Sequence, residues 1–330
     1  MIISRTPFRI PIGGGGTDLP FYYTKKGGSL ISATVDKYMY IIVQKRILYD
    51  DFFIRYKKTE MTKTLDEIQH PLVREALRLL NIKEPIEITS VADLPAGSGL
   101  GSSSSFLVGV LHALHAYKGE KVSKKTLADE ATQIQMEILR TEAGLQDQYA
   151  AAFGGIMTMN INKNGKVIVS PLDIADHHLR ALEKNLVFLY TGLTRSADEV
   201  LASQRKEAET DEEKINGLTQ IKEIGEEIKK ALEAGNLRRF GEWMNIHWQT
   251  KQKLSKKMTN SKIDEWYNIA LQNGAIGGKI MGAGGGGFFM FYVDKDKEKF
   301  IQEMSKAGLI PLDFHFEFDG STIVFNNERG

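Results

Sequence analysis

Leu94-Pro-Ala-Gly-Ser-Gly-Leu-Gly-Ser-Ser-Ser-Ser105 is the stretch on which the reading of this chain turns. Gly97, Gly99 and Gly101 alternate with Ser98 and Leu100 and then run into four serines. The segment before it, Ile86-Glu-Ile-Thr-Ser-Val91, alternates apolar and polar residues as a strand does. The segment after it carries Phe106, Leu107, Val110, Leu111 and Leu114, an apolar run of helical character. Glycine lets the backbone turn its N–H groups inward and lets a ligand approach closely. A helix start adds unpaired N–H groups and the positive end of a dipole. Strand, glycine loop and serine-capped helix in that order make a cradle for phosphate. A serine-rich turn that merely caps a buried helix is the plainer alternative, and two further glycine clusters weigh against it.

The loop contains no lysine and the chain has no Gly-x-x-x-x-Gly-Lys-Ser/Thr, so it is not a Walker A motif. No His-Arg-Asp or Asp-Phe-Gly triplet occurs either, which excludes the protein-kinase set. The second cluster is Arg5-Thr-Pro-Phe-Arg-Ile-Pro-Ile-Gly-Gly-Gly-Gly-Thr-Asp18. It gathers a cation, Arg9, a hydroxyl, Thr17, and a carboxylate, Asp18, around a loop where Gly15 and Gly16 leave room for a ligand. Carboxylate beside hydroxyl suits a polyol, whose OH groups donate and accept. The third cluster, Lys279-Ile-Met-Gly-Ala-Gly-Gly-Gly-Gly-Phe-Phe289, holds a formal G-x-G-x-x-G. A dinucleotide fold would follow it with a helix; the run Phe288–Val293 reads as a strand instead.

Three such clusters in this order resemble the GHMP kinases over nearly the whole chain. A fourth segment, Gly144-Leu-Gln-Asp-Gln-Tyr-Ala-Ala-Ala-Phe-Gly-Gly155, resembles the part that carries the catalytic aspartate in the sugar-kinase branch. Its pairing with RTPFRIPIGGGGTDLP is similar to the kinases that act on D-glycero-D-manno-heptose 7-phosphate. The resemblance implies an α+β, two-domain GHMP kinase fold: a ribosomal protein S5 domain 2-like N-terminal domain, placed at 1–175, and a ferredoxin-like C-terminal domain, placed at 176–330. It implies ATP and Mg²⁺ as cofactors, with the triphosphate held by Pro95, Ala96, Gly97, Ser98, Gly99, Leu100, Gly101, Ser102, Ser103 and Ser104. Asp147 is then the catalytic base and Arg9 the cation that steadies it. The substrate-binding set is Gly15, Gly16, Thr17, Asp18, Arg195, Lys279, Gly284 and Gly285. Ser103 faces the metal. The family's second metal ligand, a glutamate, sits about twelve positions before the aspartate, where this chain has Gln135; Glu137 lies two residues further on and is taken as its replacement, metal held by Ser103, phosphates and water being the other option. If the acceptor already carries a phosphate, Arg5, Lys25, Lys26, Arg195 and Lys279 are the cations available to receive it.

The expected activity is transfer of the γ-phosphoryl group to the anomeric hydroxyl of a heptose 7-phosphate. The alternatives are a kinase for a free hexose of the galactose type, or a catalytically silent relative that binds sugar or nucleotide, for which Gln135 speaks. Composition agrees with a small-molecule enzyme. The chain has 330 residues, 42% of them hydrophobic, and a net charge of +1, which gives no nucleic-acid footprint. It has no cysteine, hence no disulfide, thiol nucleophile or Cys-based metal site. The seven histidines show no metal-binding spacing and read as structural. No apolar run approaches a membrane span, and the first residues read as a strand rather than a leader, so the expected location is the cytoplasm. A homodimer is left open.

Along the chain, strands are expected over residues 2–10 and 29–46, helices over 65–80 and 124–139, and a hairpin around Asn164-Gly165. Helices dominate after Arg195. The last third reads as helix 261–272, strand 288–293, helix 295–307 and a hairpin around Asp319-Gly320.

Overall fold

The computed structural model describes residues 1–194, 197–255 and 257–327. Thirteen strands occur among them: β1 (Ile2–Gly13), β2 (Gly28–Lys45), β3 (Phe52–Arg55), β4 (Thr59–Thr62), β5 (Ile86–Ala92), β6 (Ile156–Ile161), β7 (Val167–Pro171), β8 (Leu186–Tyr190), β9 (Gly277–Ile280), β10 (Phe288–Tyr292), β11 (Ile310–Leu312), β12 (Phe316–Glu317) and β13 (Thr322–Asn326). They form two sheets, of nine and four strands. With the helices packed against them the architecture is α+β, as the resemblance implied.

The long β2 organises the larger sheet. Its second half alternates buried and half-exposed residues, with Met39, Ile41 and Val43 on the inner face, and pairs with β5. Its first half is buried on both faces and pairs with β6. Burial on both sides needs a cover on each. The helix Glu212–Glu233 lies against this half and against β1. A Cβ at Gly13 would stand 3.2 Å from the Gly225 Cα of that helix, so two glycines let it settle directly on the first glycine cluster. The helix Ser102–Tyr117 is buried over most of its surface and packs on β1 and β2.

The smaller sheet, in the order β11-β8-β10-β9, is antiparallel throughout. Trp248, Trp266, Tyr267, Phe289, Phe291 and Phe300 fill the core beneath it.

Three expectations differ from the structure. Residues 65–80 are not one helix: a single turn, Leu65–Glu67, is separated from the helix Pro71–Leu79. Pro71 disfavours a helical residue before it, so the chain must restart there. Residues 124–139 are α-helical only to Thr132 and widen into a π turn at Gln133–Ile138. The strands flanking Asp319-Gly320 do not pair with each other. β12 joins β2 and β13 joins β1. Gly320 is wedged against Ala152–Gly154, where a Cβ would meet the Ala152 oxygen at 2.4 Å, and this holds the two strands apart. The chain thus returns to the first sheet at its end, and a division at 175/176 leaves these two strands in the sheet of the first unit. Among the described residues no helix is long and apolar enough to cross a membrane.

Candidate active site

Gly97, Gly99 and Gly101 have φ of 78°, 81° and 78°, a left-handed conformation open to glycine at little cost. Left-handed residues alternating with ordinary ones turn successive N–H groups to one side, the geometry of an anion nest. The loop ends at the N-terminus of the helix Ser102–Tyr117. The third glycine cluster lies directly beneath it. A Cβ at Gly282 would stand 2.5 Å from the Gly99 oxygen, and one at Gly287 would stand 2.3 Å from the Ser98 oxygen. Gly284 and Gly285, expected at the substrate, are elsewhere. Gly285 N–H donates to the Met258 carbonyl at 2.8 Å, and a Cβ at Gly284 would crowd the same carbonyl. From this cluster Lys279, Gly282 and Ala283 line a pocket that Arg9, Asp18 and Asp147 share.

Arg9 and Asp147 meet across 138 residues of sequence. Arg9 Nε donates to Asp147 Oδ1 at 2.6 Å and Nη2 to Oδ2 at 2.7 Å, a bidentate pair. The remaining arm, Nη1, donates to the Gly99 carbonyl at 2.7 Å, and Arg9 N–H donates to the Leu100 carbonyl at 3.1 Å. One guanidinium therefore ties the carboxylate to the phosphate cradle. Asp147 stands in the first turn of the helix Gln146–Phe153, where the dipole favours negative charge. The carboxylate has about four acceptor sites; Arg9 uses two and leaves the others for a ligand.

Asp18 is buried beside this pair and accepts from Gly16 N–H and Gln146 N–H, each at 3.1 Å. Burial, and then the nearby Asp147 charge, push its carboxyl pKa up. Thr17 does not reach the pocket. Its hydroxyl, 2.8 Å from the Gly14 carbonyl and 2.9 Å from that of Ser29, braces the loop from behind. Gly15 and Gly16 line the pocket.

Glu137 does not join Ser103. It is exposed on the π turn, while the buried Gln135 takes the inward place. Gln135 Oε1 accepts from Ser104 Oγ at 3.0 Å and from Gln148 Nε2 at 2.8 Å, and its Nε2 donates to Ser103 Oγ at 3.4 Å. The extra residue of the π turn sets which side chain faces in. The Gln135 oxygen is taken by these two bonds and its NH2 faces Ser103, so Ser103 Oγ is the oxygen of this group that suits Mg²⁺, which takes few ligands from protein.

The opposite wall comes from the second half of the chain, and of its residues Lys279 alone was foreseen. The helix Leu237–Gln252 presents His247 and Lys251, four residues apart on one face. Lys279 from β9 completes the wall. Lys251 Nζ donates to the Gly282 carbonyl and Lys279 Nζ to the Ile12 carbonyl, both at 2.7 Å. Burial drives the Lys251 pKa down to about 8, with Arg9 adding to the fall and Asp18 opposing it. Burial, then the charges of Lys251 and Arg9, lower that of Lys279 well below the ordinary value. His247 is 1% exposed, and neither ring nitrogen has a partner among the described residues. The only trace of this in the sequence is a His and a Lys at helical spacing around a buried Trp248, too common a pattern to single out. Of the other cations considered, Arg5 stacks over the Tyr38 ring, Lys25 and Lys26 are exposed at a helix end, and Arg195 lies outside the described residues.

Beside the cradle, on the far side of Ser102 and Ser103, an apolar cleft of about 450 Å³ is lined by Met39, Tyr56, His70, Leu94 and Phe106. His70 stacks on Phe106 with ring centres 4.7 Å apart, and Tyr56 meets His70 edge-on at 4.5 Å. Such a slot takes a flat aromatic base.

Known proteins are similar to this chain over nearly its whole length. The profile of the GHMP kinases N terminal domain matches residues 71–155, and that of the GHMP kinases C terminal region matches residues 228–309. The D-glycero-alpha-D-manno-heptose 7-phosphate kinase of Campylobacter jejuni is 31% identical over 97% of both chains. The galactokinase of Pyrococcus furiosus is 25% identical over 91% of both. Among solved structures, a D-glycero-D-manno-heptose 1-phosphate kinase from Bacteroides thetaiotaomicron superposes with a TM-score of 0.82 at 25% identity, covering 99% of this chain and 100% of the other.

Proposed function

The chain belongs to the GHMP kinases, as an ATP-using sugar kinase of that family, and from this premise we propose that it phosphorylates D-glycero-D-manno-heptose 7-phosphate at the anomeric hydroxyl, giving the 1,7-bisphosphate. The observation that carries the chemistry is the Arg9–Asp147 pair on the pocket wall, tethered to Gly99 of the cradle. The acceptor rests on the likeness to the Campylobacter kinase over nearly all of both chains.

In this reading the cradle N–H groups and Ser102–Ser104 hold the triphosphate, and the adenine enters the cleft of Tyr56, His70 and Phe106. Asp18, Gly15 and Gly16 seat the sugar so that its anomeric hydroxyl meets the free side of the Asp147 carboxylate. The hydroxyl proton passes to Asp147 as the sugar oxygen bonds to the γ-phosphorus and the bond to the ADP oxygen breaks. Arg9 keeps the carboxylate oriented and offsets charge on the moving phosphoryl. Mg²⁺ would be held by Ser103, the phosphates and water, and would screen the phosphate oxygens. Positioning and charge neutralisation are what this transfer chiefly requires.

The test is ADP release with a panel of heptose 7-phosphate, heptose 1-phosphate, free heptose and galactose, with phosphorus NMR locating the new ester. Asp147→Asn is expected to lower kcat about 10²–10⁴-fold while circular dichroism and melting stay native-like. Turnover of galactose without turnover of heptose 7-phosphate refutes the acceptor. Nucleotide binding with no ADP release for any sugar would favour the silent-relative reading, which Gln135 alone supports.

A further inference from the structure

The pocket wall built by Lys251, Lys279 and His247 has no task in the chemistry above. Its charge is what sets it apart. Both lysines are buried, at 8% and 1% exposure, and the partner each finds among the described residues is one neutral main-chain carbonyl. An ammonium has three N–H donors, so two on each remain. The carboxylates of the pocket are otherwise engaged: Asp147 holds Arg9 with both oxygens, and Asp18 caps Gly16 and Gln146. Neither lysine forms an ion pair among the described residues. Buried charge of this kind is costly unless something of opposite sign answers it. His247, whose ring nitrogens have no partner among the described residues and which lines the same cavity, adds one donor and one acceptor.

Resting on the acceptor named above, we infer that Lys251 and Lys279, with His247 beside them, form the subsite that receives the phosphate already present on the acceptor sugar. A phosphate monoester brings two negative charges and three acceptor oxygens, which answers the free ammonium donors. A neutral sugar brings neither. The site therefore selects a phosphorylated acceptor over its free counterpart, and the selection is made by the C-terminal half of the chain while the first glycine cluster reads the sugar ring. Lys279 was legible as a cation at the third glycine cluster; its partner Lys251 comes from a helix that carries no motif.

The γ-phosphoryl group of ATP has the same chemistry, so the test separates the two sources. Lys251→Met keeps the length and apolar stem of the side chain and removes the charge. Wild type and variant are compared for kcat/KM on heptose 7-phosphate and on free heptose, for the KM of ATP, and for binding of heptose 7-phosphate without nucleotide by calorimetry. The expected result is a loss of roughly 100-fold on the phosphorylated sugar, in activity and in binding, as for truncating one partner of a buried charge pair. Activity on free heptose and the KM of ATP stay within about threefold. An equal loss on both sugars, or a weakened ATP KM with unchanged sugar binding, overturns the inference and gives Lys251 to the transferred group. Wild-type turnover of heptose 7-phosphate with an unchanged preference in the variant overturns it while leaving the acceptor standing. If wild type rejects heptose 7-phosphate, the acceptor falls, and inorganic phosphate alone decides the subsite. A thermal shift in wild type that vanishes in Lys251→Met upholds it, and no shift in either refutes it.

Discussion

Gly144→Ala tests the proposed acceptor site without removing a functional group. Gly144 precedes the helix Gln146–Phe153, and a Cβ there would stand 1.9 Å from Asp18 Oδ2 and 2.6 Å from its Cγ. Real Cβ contacts do not fall below 3.0 Å, so the carboxylate must retreat by about 1.1 Å, the difference between 3.0 and 1.9. Its two hydrogen bonds, from Gly16 and Gln146 N–H, are already 3.1 Å long and would break. A hydrogen bond to a charged group contributes about 1.5–3 kcal/mol. Losing two, with part recovered by relaxation of the loop, amounts to about 3 kcal/mol. At 1.4 kcal/mol per tenfold, kcat/KM for the sugar phosphate is expected to fall about 100-fold. The three atoms nearest the new methyl all belong to Asp18, so the KM of ATP should stay put. The assay is coupled ADP release with each substrate varied in turn, beside a melting curve to show that the variant is folded. A folded Gly144→Ala protein with wild-type kcat/KM for the sugar would mean that Asp18 does not seat the acceptor. Parallel loss of ATP affinity would mean that the substitution disturbs the whole loop cluster.

Two residues, Lys251 and Gln135, carry the further predictions. Lys251 is a cation below its pKa of about 8 and neutral above it, in surroundings set by Arg9, Asp18, Lys279 and His247. The KM for the phosphorylated sugar should be level from about pH 6.5 to 8 and rise up to tenfold per unit above that; a level profile to pH 9.5 refutes a charged Lys251 in binding. Unliganded stability carries the opposite sign. The folded pKa lies below the free value of 10.5, so this residue contributes stability above 10.5 that is lost as pH falls through about 8, a change of order 3 kcal/mol. Wild type should therefore gain on Lys251→Met in melting temperature between pH 8 and 9.5. Gln135→Glu would place a carboxylate among Ser103, Ser104 and Gln148. The Mg²⁺ concentration for half-maximal rate should drop several-fold, and the metal-free protein should melt lower at pH 7 because the buried charge lacks a counter-ion. An unchanged Mg²⁺ requirement would place the metal elsewhere.

Much of the cradle was legible because it is local. Alternating glycines after a strand, followed by serines and an apolar run, dictate their own backbone within a dozen residues, and the left-handed φ values at Gly97, Gly99 and Gly101 follow from that. The candidates Arg9, Asp18 and Asp147 came from motif resemblance, and the structure places all three around one pocket. Local signals failed where a neighbour from far along the chain decides. Thr17 reads as a ligand until Ser29 is seen to take its hydroxyl. Gly284 and Gly285 read as substrate contacts until Met258 is found against them. Glu137 reads as a metal ligand until the π turn at Gln133–Ile138 turns Gln135 inward in its place.

By itself the sequence determined the kind of chemistry, because gripping a triphosphate needs a run of consecutive backbone amides that glycine and serine spacing can encode. Tertiary structure decided which side chains share the acceptor pocket. Lys251 is an unremarkable letter in a helix and Lys279 one candidate cation among several, and only burial near Arg9, without a carboxylate to pair with among the described residues, gives them an unmet charge. That burial is a sum over contacts between distant segments, a quantity no local pattern contains.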